Sequence, residues 1–229
     1  LTAANGYQPY EAIAGAMKVY QPLRLANVIE SKHPEIRPGA AAVGDENVAR
    51  ERGLAGEAAG QLLQGAGRPV LERIELDGNA ISVLAGTIHP PPRLLVLGAG
   101  PDTEPVVHFA AELGWRCTVV DHRDAYVGSG DFGAAEKVLC LPAVALAENL
   151  ELDRYDAASV MSHHLASDRA YLEQLAATDL RYIGLLGPAA RRDRLLSELG
   201  ENAGALTGRL RGPAGIDIGG RGPAAIALS

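Results

Sequence analysis

Gly98, Gly100 and Asp121 are the residues whose types and spacing point most directly to chemistry. The apolar run Leu94 to Leu97 reads as a buried strand, and the two glycines after it permit a sharp turn that brings bare backbone N–H groups up to an anion. A phosphate held there would face the positive end of the following helix. Asp121 closes a second apolar run 21 residues after Gly100, about the separation at which a carboxylate reaches the 2′- and 3′-hydroxyls of a bound ribose. His122, Arg123 and Asp124 come next, so these charges also fit a solvated loop. The loop is atypical, because Thr103 stands where G-x-G-x-x-G has its third glycine and Pro101 and Pro105 stiffen the turn.

Three later segments carry comparable signals. Val160-Met161-Ser162-His163-His164 runs an apolar strand straight into a hydroxyl and two imidazoles. A neutral imidazole can take a proton or bind a metal, which makes His163 the candidate acid or base. No carboxylate stands at metal-ligand spacing from these histidines, so no metal is expected. Helix capping by Ser162 or Ser167 ahead of Asp168 explains the serines but not both imidazoles. Gly184-Leu-Leu-Gly187-Pro188 reads as strand, turn and helix start, with Arg191 and Arg192 in the first helical turns. Cations there oppose the helix dipole by ~0.3–1 kcal/mol each unless an anion compensates. An acidic ligand would do so, as would Asp193 or Glu198. Last, Pro213-Ala-Gly215-Ile216-Asp217-Ile218 sets a carboxylate between two isoleucines; Asp217 is either buried and in need of a partner or a turn-capping aspartate.

The elements that must position these residues follow a regular pattern. After His89-Pro90-Pro91-Pro92, a stiff stretch suited to a domain boundary, the sequence predicts strands at Leu94 to Leu97, Cys117 to Asp121, Lys137 to Leu141, Ala157 to Met161 and Tyr182 to Leu186. Helices are expected at Thr103 to Leu113, Asp168 to Ala177 and Ala189 to Leu199. Alternating apolar strands and amphipathic helices imply an α/β fold, a Rossmann-like parallel sheet with helices on both faces over residues 90–229, whose ligands bind at the strand carboxyl ends. Residues 1–89 read as a smaller α+β domain, with a helix from Pro9 to Tyr20, a strand from Leu23 to Glu30, a helix from Leu54 to Gln64 and a hairpin over Val70 to Leu84 turning at Asp77-Gly78-Asn79. Pro34 to Arg52, rich in Pro, Gly, Ala and charge, is expected to be loop.

Composition excludes some partners. The 229 residues carry a net charge of −7, which disfavours nucleic acid and anionic membrane surfaces. No apolar run approaches a membrane span and no signal peptide is visible, so a cytoplasmic protein is expected. Cys117 and Cys140 lie in or at the end of apolar runs and are expected to be buried thiols rather than a disulfide or zinc pair. The chain lacks an initiator Met and stops within an apolar pattern, as a fragment would.

Taken in order and spacing, LVLGAG, VVDHR, VMSHHLASDRAYL, RYIGLLGPAARRDRLL and RGPAGIDIGGRGPAAIAL resemble the XdhC/CoxI family of molybdenum hydroxylase maturation factors. The resemblance is strong over residues 90–229 and weak over the front, where LANVIESKHPEIRPGAAAV and GLAGEAAGQLL look like degenerate forms of that family's N-terminal domain. It implies a protein that binds molybdenum cofactor, as molybdopterin or a dinucleotide form, protects it during sulfuration and passes it to a xanthine or carbon monoxide dehydrogenase-type apoenzyme. Cysteine desulfurase as a partner, and a homodimer, are implied as well. Motif positions carried over are Gly98, Gly100 and Asp121; Ser162, His163 and Asp168; Gly184, Gly187 and Arg191; and Pro213, Gly215 and Asp217, with Arg192 beside them. This chain departs from the family pattern in the front domain, where Gly53-Leu-Ala-Gly56-Glu57 replaces a cysteine-containing SGGC segment.

Two other functions compete with non-catalytic cofactor delivery. A nicotinamide-dependent oxidoreductase would use Asp121 to hold NAD and His163 as acid or base. A sensor or assembly protein would use the nucleotide-type domain only for packing at a dimer interface. No Lys or Tyr stands at helical spacing from His163 to complete a catalytic pair.

Overall fold

Strands that alternate buried and exposed side chains build the front of the chain, and uninterrupted apolar runs build the back. The computed structural model describes residues 9–44, 49–52 and 68–229 and divides into two units, Leu1–Pro90 and Pro91–Ser229.

The front unit has helix α1 (Tyr10–Val19) and strands β1 (Leu23–Ser31), β2 (Ala41–Gly44), β3 (Ala49–Arg52), β4 (Val70–Leu76) and β5 (Asn79–Ile88). They form one antiparallel sheet in the order β3-β2-β1-β5-β4. Its buried side chains are Ala26, Val28, Ile36, Ala42, Ile81, Val83 and Ala85. The expected loop over Pro34 to Arg52 is corrected, since β2 and β3 lie inside it. Ala and Gly have little strand preference of their own, but β1 offers an edge. Gly39 N–H donates to Val28 O at 2.8 Å and Val28 N–H to Ala40 O at 2.9 Å, bringing Ala41–Gly44 onto that edge, where pairing outweighs propensity. The helix expected at Leu54 to Gln64 and the Gly53-to-Glu57 departure lie outside the described residues.

In the second unit the elements are β6 (Arg93–Leu97), α2 (Thr103–Glu112), β7 (Arg116–Asp121), α3 (Asp124–Ser129), β8 (Lys137–Cys140), α4 (Leu146–Asn149), β9 (Ala157–Val160), α5 (Leu165–Ala176), β10 (Tyr182–Leu185), α6 (Ala189–Leu199), α7 (Ala203–Leu206), β11 (Leu210–Arg211) and α8 (Pro223–Leu228). The six strands are all parallel, in the order β8-β7-β6-β9-β10-β11. β6 has no polar member after Arg93, so both faces of the sheet must be covered. Leu95 and Leu97 pack with Val160, Leu172, Leu175 and Leu195 on one face. Leu94 and Val96 pack with Val107, Ala110, Val119 and Met161 on the other. The second unit is thus a doubly wound, Rossmann-like α/β domain, and the first is a smaller antiparallel one.

Local differences from the sequence reading have local causes. α5 begins at Leu165 rather than Asp168, because the His164 side chain caps it by accepting from Ser167 N–H. The short β11 and the terminal α8 carry too little periodicity to be anticipated. Cys117 is buried, and burial pushes its thiol up to about 11. Cys140 is exposed, a correction of the expected burial that follows from its place at the end of β8, an edge strand. Among the described residues no helix is long and apolar enough to cross a membrane.

Candidate functional site

The chain leaves β6 towards β7 and β8, then returns to place β9 on β6's other side, so the crossovers diverge between β6 and β9. Ligands of open parallel sheets bind at such a switch point, outside the strand carboxyl ends. The Gly98 turn sits there, pressed onto the end of β9. Gly98 has φ +129°, and a Cβ on it would lie 2.5 Å from the Met161 carbonyl carbon, so no other residue fits. Gly98 N–H donates to Val120 O at 2.7 Å, Ala99 N–H to Asp121 Oδ2 at 2.7 Å and Thr103 N–H to Gly100 O at 2.9 Å. Thr103, the departure from the glycine fingerprint, is fully buried and ties the turn through Oγ1 to Gly98 O at 2.8 Å. Among the described residues no backbone acceptor stands opposite the Gly100 and Asp102 N–H groups.

Asp121 reads from the sequence as a ribose ligand, and the structure gives it another task. Its side chain is fully buried, and both oxygens already accept: Oδ2 from Ala99 N–H and Arg123 Nη2, each at 2.7 Å, and Oδ1 from Arg123 N–H and Nε, each at 2.9 Å. Burial alone would raise its carboxyl, but the hydrogen bonds from Arg123 and from the two backbone N–H groups outweigh it and hold the group below the usual carboxylate value. The same contacts push the Arg123 guanidinium up despite its burial.

Arg123 begins a chain of polar contacts that sequence spacing did not reveal. Its Nη2 also donates to Ser162 O at 3.1 Å, and its guanidinium carbon lies 3.9 Å from the centre of the Tyr126 ring. Ser162 Oγ donates to Asp168 Oδ1 at 2.5 Å, and Asp168 Oδ2 accepts from Arg191 Nε at 3.0 Å and Nη2 at 2.5 Å. Asp168 is 1% exposed. Arg191 reaches it by folding across Gly187, where φ is +127° and a Cβ would lie 2.8 Å from Arg191 Cδ. Asp121, Arg123, Ser162, Asp168 and Arg191 therefore wire the first glycine turn to the second. Tyr171, one turn along α5 from Asp168, places a fully buried hydroxyl without a hydrogen-bond partner near these charges. Burial first, then the negative charges of Asp121 and Asp168, raise its ionisation well above the usual phenol value.

The two adjacent imidazoles diverge. His163, at φ +57°, lies beside Gly100 and places Nε2 3.2 Å from Asp102 Oδ2, with half its side chain exposed at the crevice mouth. Its partner is thus a carboxylate from the glycine turn, which no helical spacing could have shown. The contact ties the imidazole to the glycine turn and sets an imidazole and a carboxylate side by side at the strand carboxyl ends. His164 turns to Ser167 Oγ at 2.9 Å, which in turn lies 3.4 Å from His122 Nδ1. Among the described residues no three His, Cys, Asp or Glu side chains are grouped to hold a metal.

The cations at the start of α6 are compensated from within. Asp168 holds Arg191, while Arg192 donates to Asp193 Oδ1 through Nε at 2.8 Å and to Gly212 O at 2.8 Å. The helix-dipole argument therefore no longer requires an external phosphate. Asp217 is exposed, its Oδ1 accepting from Gly219 N–H at 2.8 Å, so it is the turn-capping aspartate, and the flanking isoleucines are exposed too. The segment after β11 crosses the strand carboxyl ends: Ala214 N–H donates to Leu185 O at 3.0 Å, and α8 packs on α2. Between this segment and the Gly187 turn lies a cleft of about 460 Å³.

The chain is 37% identical over 142 residues to a Bacillus subtilis protein described as a probable xanthine dehydrogenase subunit, a match covering 62% of this chain and 42% of that protein. A crystal structure described as a xanthine dehydrogenase from Bacillus halodurans superposes with a TM-score of 0.76 at 24% identity, covering 97% of this chain and 64% of that one; it shows the shared fold. This chain thus spans less than two thirds of the length of either relative. The model of the XdhC Rossmann domain matches residues 94–229. That stretch takes in both glycine turns and the ion-pair chain that joins them, and the protein belongs to the XdhC family through this domain.

Proposed function

We propose that this protein is an accessory factor of a xanthine dehydrogenase-type molybdenum hydroxylase, holding molybdenum cofactor at the switch point and delivering it to the apoenzyme. The observation that carries the reading is a switch-point crevice whose two glycine turns are held in place from beneath by buried ion pairs, with unbonded N–H groups and His163 at its mouth. Such a frame binds and orients an anionic ligand. The residues fit the cofactor: Gly100 and Asp102 N–H groups and His163 would meet its phosphate, and the cleft beside Gly187 is large enough for a fused ring. When bound, the cofactor supplies the redox chemistry of the client enzyme, and the residues here hold, orient and shield it. Asp121 is saturated by protein donors, so the ribose contact that a NAD-dependent dehydrogenase would need is already taken, which favours delivery over dehydrogenation.

Gel filtration of the protein mixed with cofactor released from a molybdenum enzyme, followed by incubation with a cofactor-free xanthine dehydrogenase, tests this. Co-elution and reconstituted client activity are expected. NADH turnover by the purified protein with no cofactor retention would overturn it.

A further inference from the structure

The cleft of about 460 Å³ beside Gly187 combines branched apolar side chains with polar surface from Ser229, backbone groups and one carboxylate. Leu186, Pro188, Pro213, Ile216, Ile218 and Ile226 line it, and Asp217 is the one charged side chain among its lining residues. Ile216 is 74% and Ile218 45% exposed, so branched apolar surface stands in water on either side of the carboxylate. Flat apolar surface laid against those side chains would be removed from water along with them. Gly219 N–H at 2.8 Å pins Asp217 through Oδ1, and Oδ2 has no partner among the described residues. A carboxylate only accepts, so the ligand edge opposite it must donate.

Resting on the cofactor-binding reading above, we infer that this cleft recognises a planar heterocycle through a ring N–H and its neighbouring NH2, the edge that pterins and guanine share, with Asp217 accepting from both donors. Adenine is disfavoured, because its amino group stands beside a ring nitrogen that accepts and would face the carboxylate lone pairs. Hypoxanthine keeps the ring N–H and lacks the amino group, which places it between the two. The pyrophosphate or pterin phosphate then points away from Asp217 to the N–H groups of the glycine turns.

Calorimetric titration of the whole protein with GDP, IDP, ADP and neopterin tests the assignment. Affinity is expected to fall in the order GDP, IDP, ADP, with each hydrogen bond to the carboxylate worth roughly tenfold or more. Asp217→Asn replaces one acceptor with a donor on an exposed loop, so it should leave the thermal melt unchanged and abolish the preference for GDP over ADP. Neopterin binding without GDP binding, or the reverse, identifies the pterin or the nucleotide as the source of the edge, provided that Asp217→Asn weakens it. Equal affinities for the three nucleotides, or no binding of any of the four compounds, overturns the inference. So does undiminished retention of molybdenum cofactor by Asp217→Asn, an outcome that leaves the delivery role standing. Failure of the parent to retain molybdenum cofactor while still preferring GDP over ADP would instead overturn the delivery role alone.

Discussion

At the scale of single residues, the site rests on carboxylates committed to protein donors. Asp121→Asn keeps the shape but presents a donor to Arg123 and Ala99 and strands a guanidinium; because Arg123 is only partly buried, the loss should fall below the about 3–5 kcal/mol typical of a fully buried pair. Its pH dependence has a definite sign. The folded value of Asp121 is held below its ordinary value near ~3.9, so its contribution is complete above that value and is lost as pH falls through the folded one. Urea melts of the parent and Asp121→Asn should differ most near neutral pH and converge on acidification; a gap independent of pH would mean that the charge does not matter. Tyr171 predicts the opposite sign. A buried hydroxyl without a partner costs ~1–3 kcal/mol, so Tyr171→Phe should raise the melting temperature by a few degrees. A lower melting temperature would show that the hydroxyl has a partner.

At the scale of elements, the strands and long helices were legible because their apolar periodicity extends over several residues. β6, β7, β9 and β10 lie within a residue or so of where the sequence places them, and α6 spans the expected residues. β2 was not legible, since Ala41-Ala-Val-Gly acquires its strand from the edge of β1. The site was half legible. Glycines and polar residues at strand ends marked the loops that meet at the switch point, but spacing along one segment cannot show that Asp168 meets Arg191 from the next crossover or that Asp102 meets His163 across the crevice. The Ile-Asp-Ile segment read equally as core or as a turn capped by Asp217, because apolar neighbours fit a buried strand as well as the lining of a cleft; the structure has the capped turn. One element-scale contact is decisive for the crevice. Gly98→Ala drives a methyl into the Met161 carbonyl and forces a left-handed backbone, so β6 and β9 must separate at their ends. A loss of several kcal/mol in urea unfolding is expected, with α2 the first segment to lose hydrogen-exchange protection; parent-like stability would show that the turn can move aside.

At the scale of the whole molecule, the parallel sheet carries its own core on both faces, and each face is closed by helices from the same unit. Residues 91–229 expressed alone are therefore expected to unfold in one cooperative urea transition. Dye binding typical of a molten state would sink that expectation. The wiring between the glycine turns also bears on how this domain changes over evolutionary time. Asp168 and Arg191 are 23 positions apart in the chain yet form one unit around a buried carboxylate, and Asp121 and Arg123 form another. A relative that loses one member keeps an orphaned charge in its interior, whereas one that loses both can fill the space with apolar side chains at little penalty. Across the family, each pair should thus be inherited or abandoned as a couple, and a sequence with a single member left should carry a replacement counter-ion nearby.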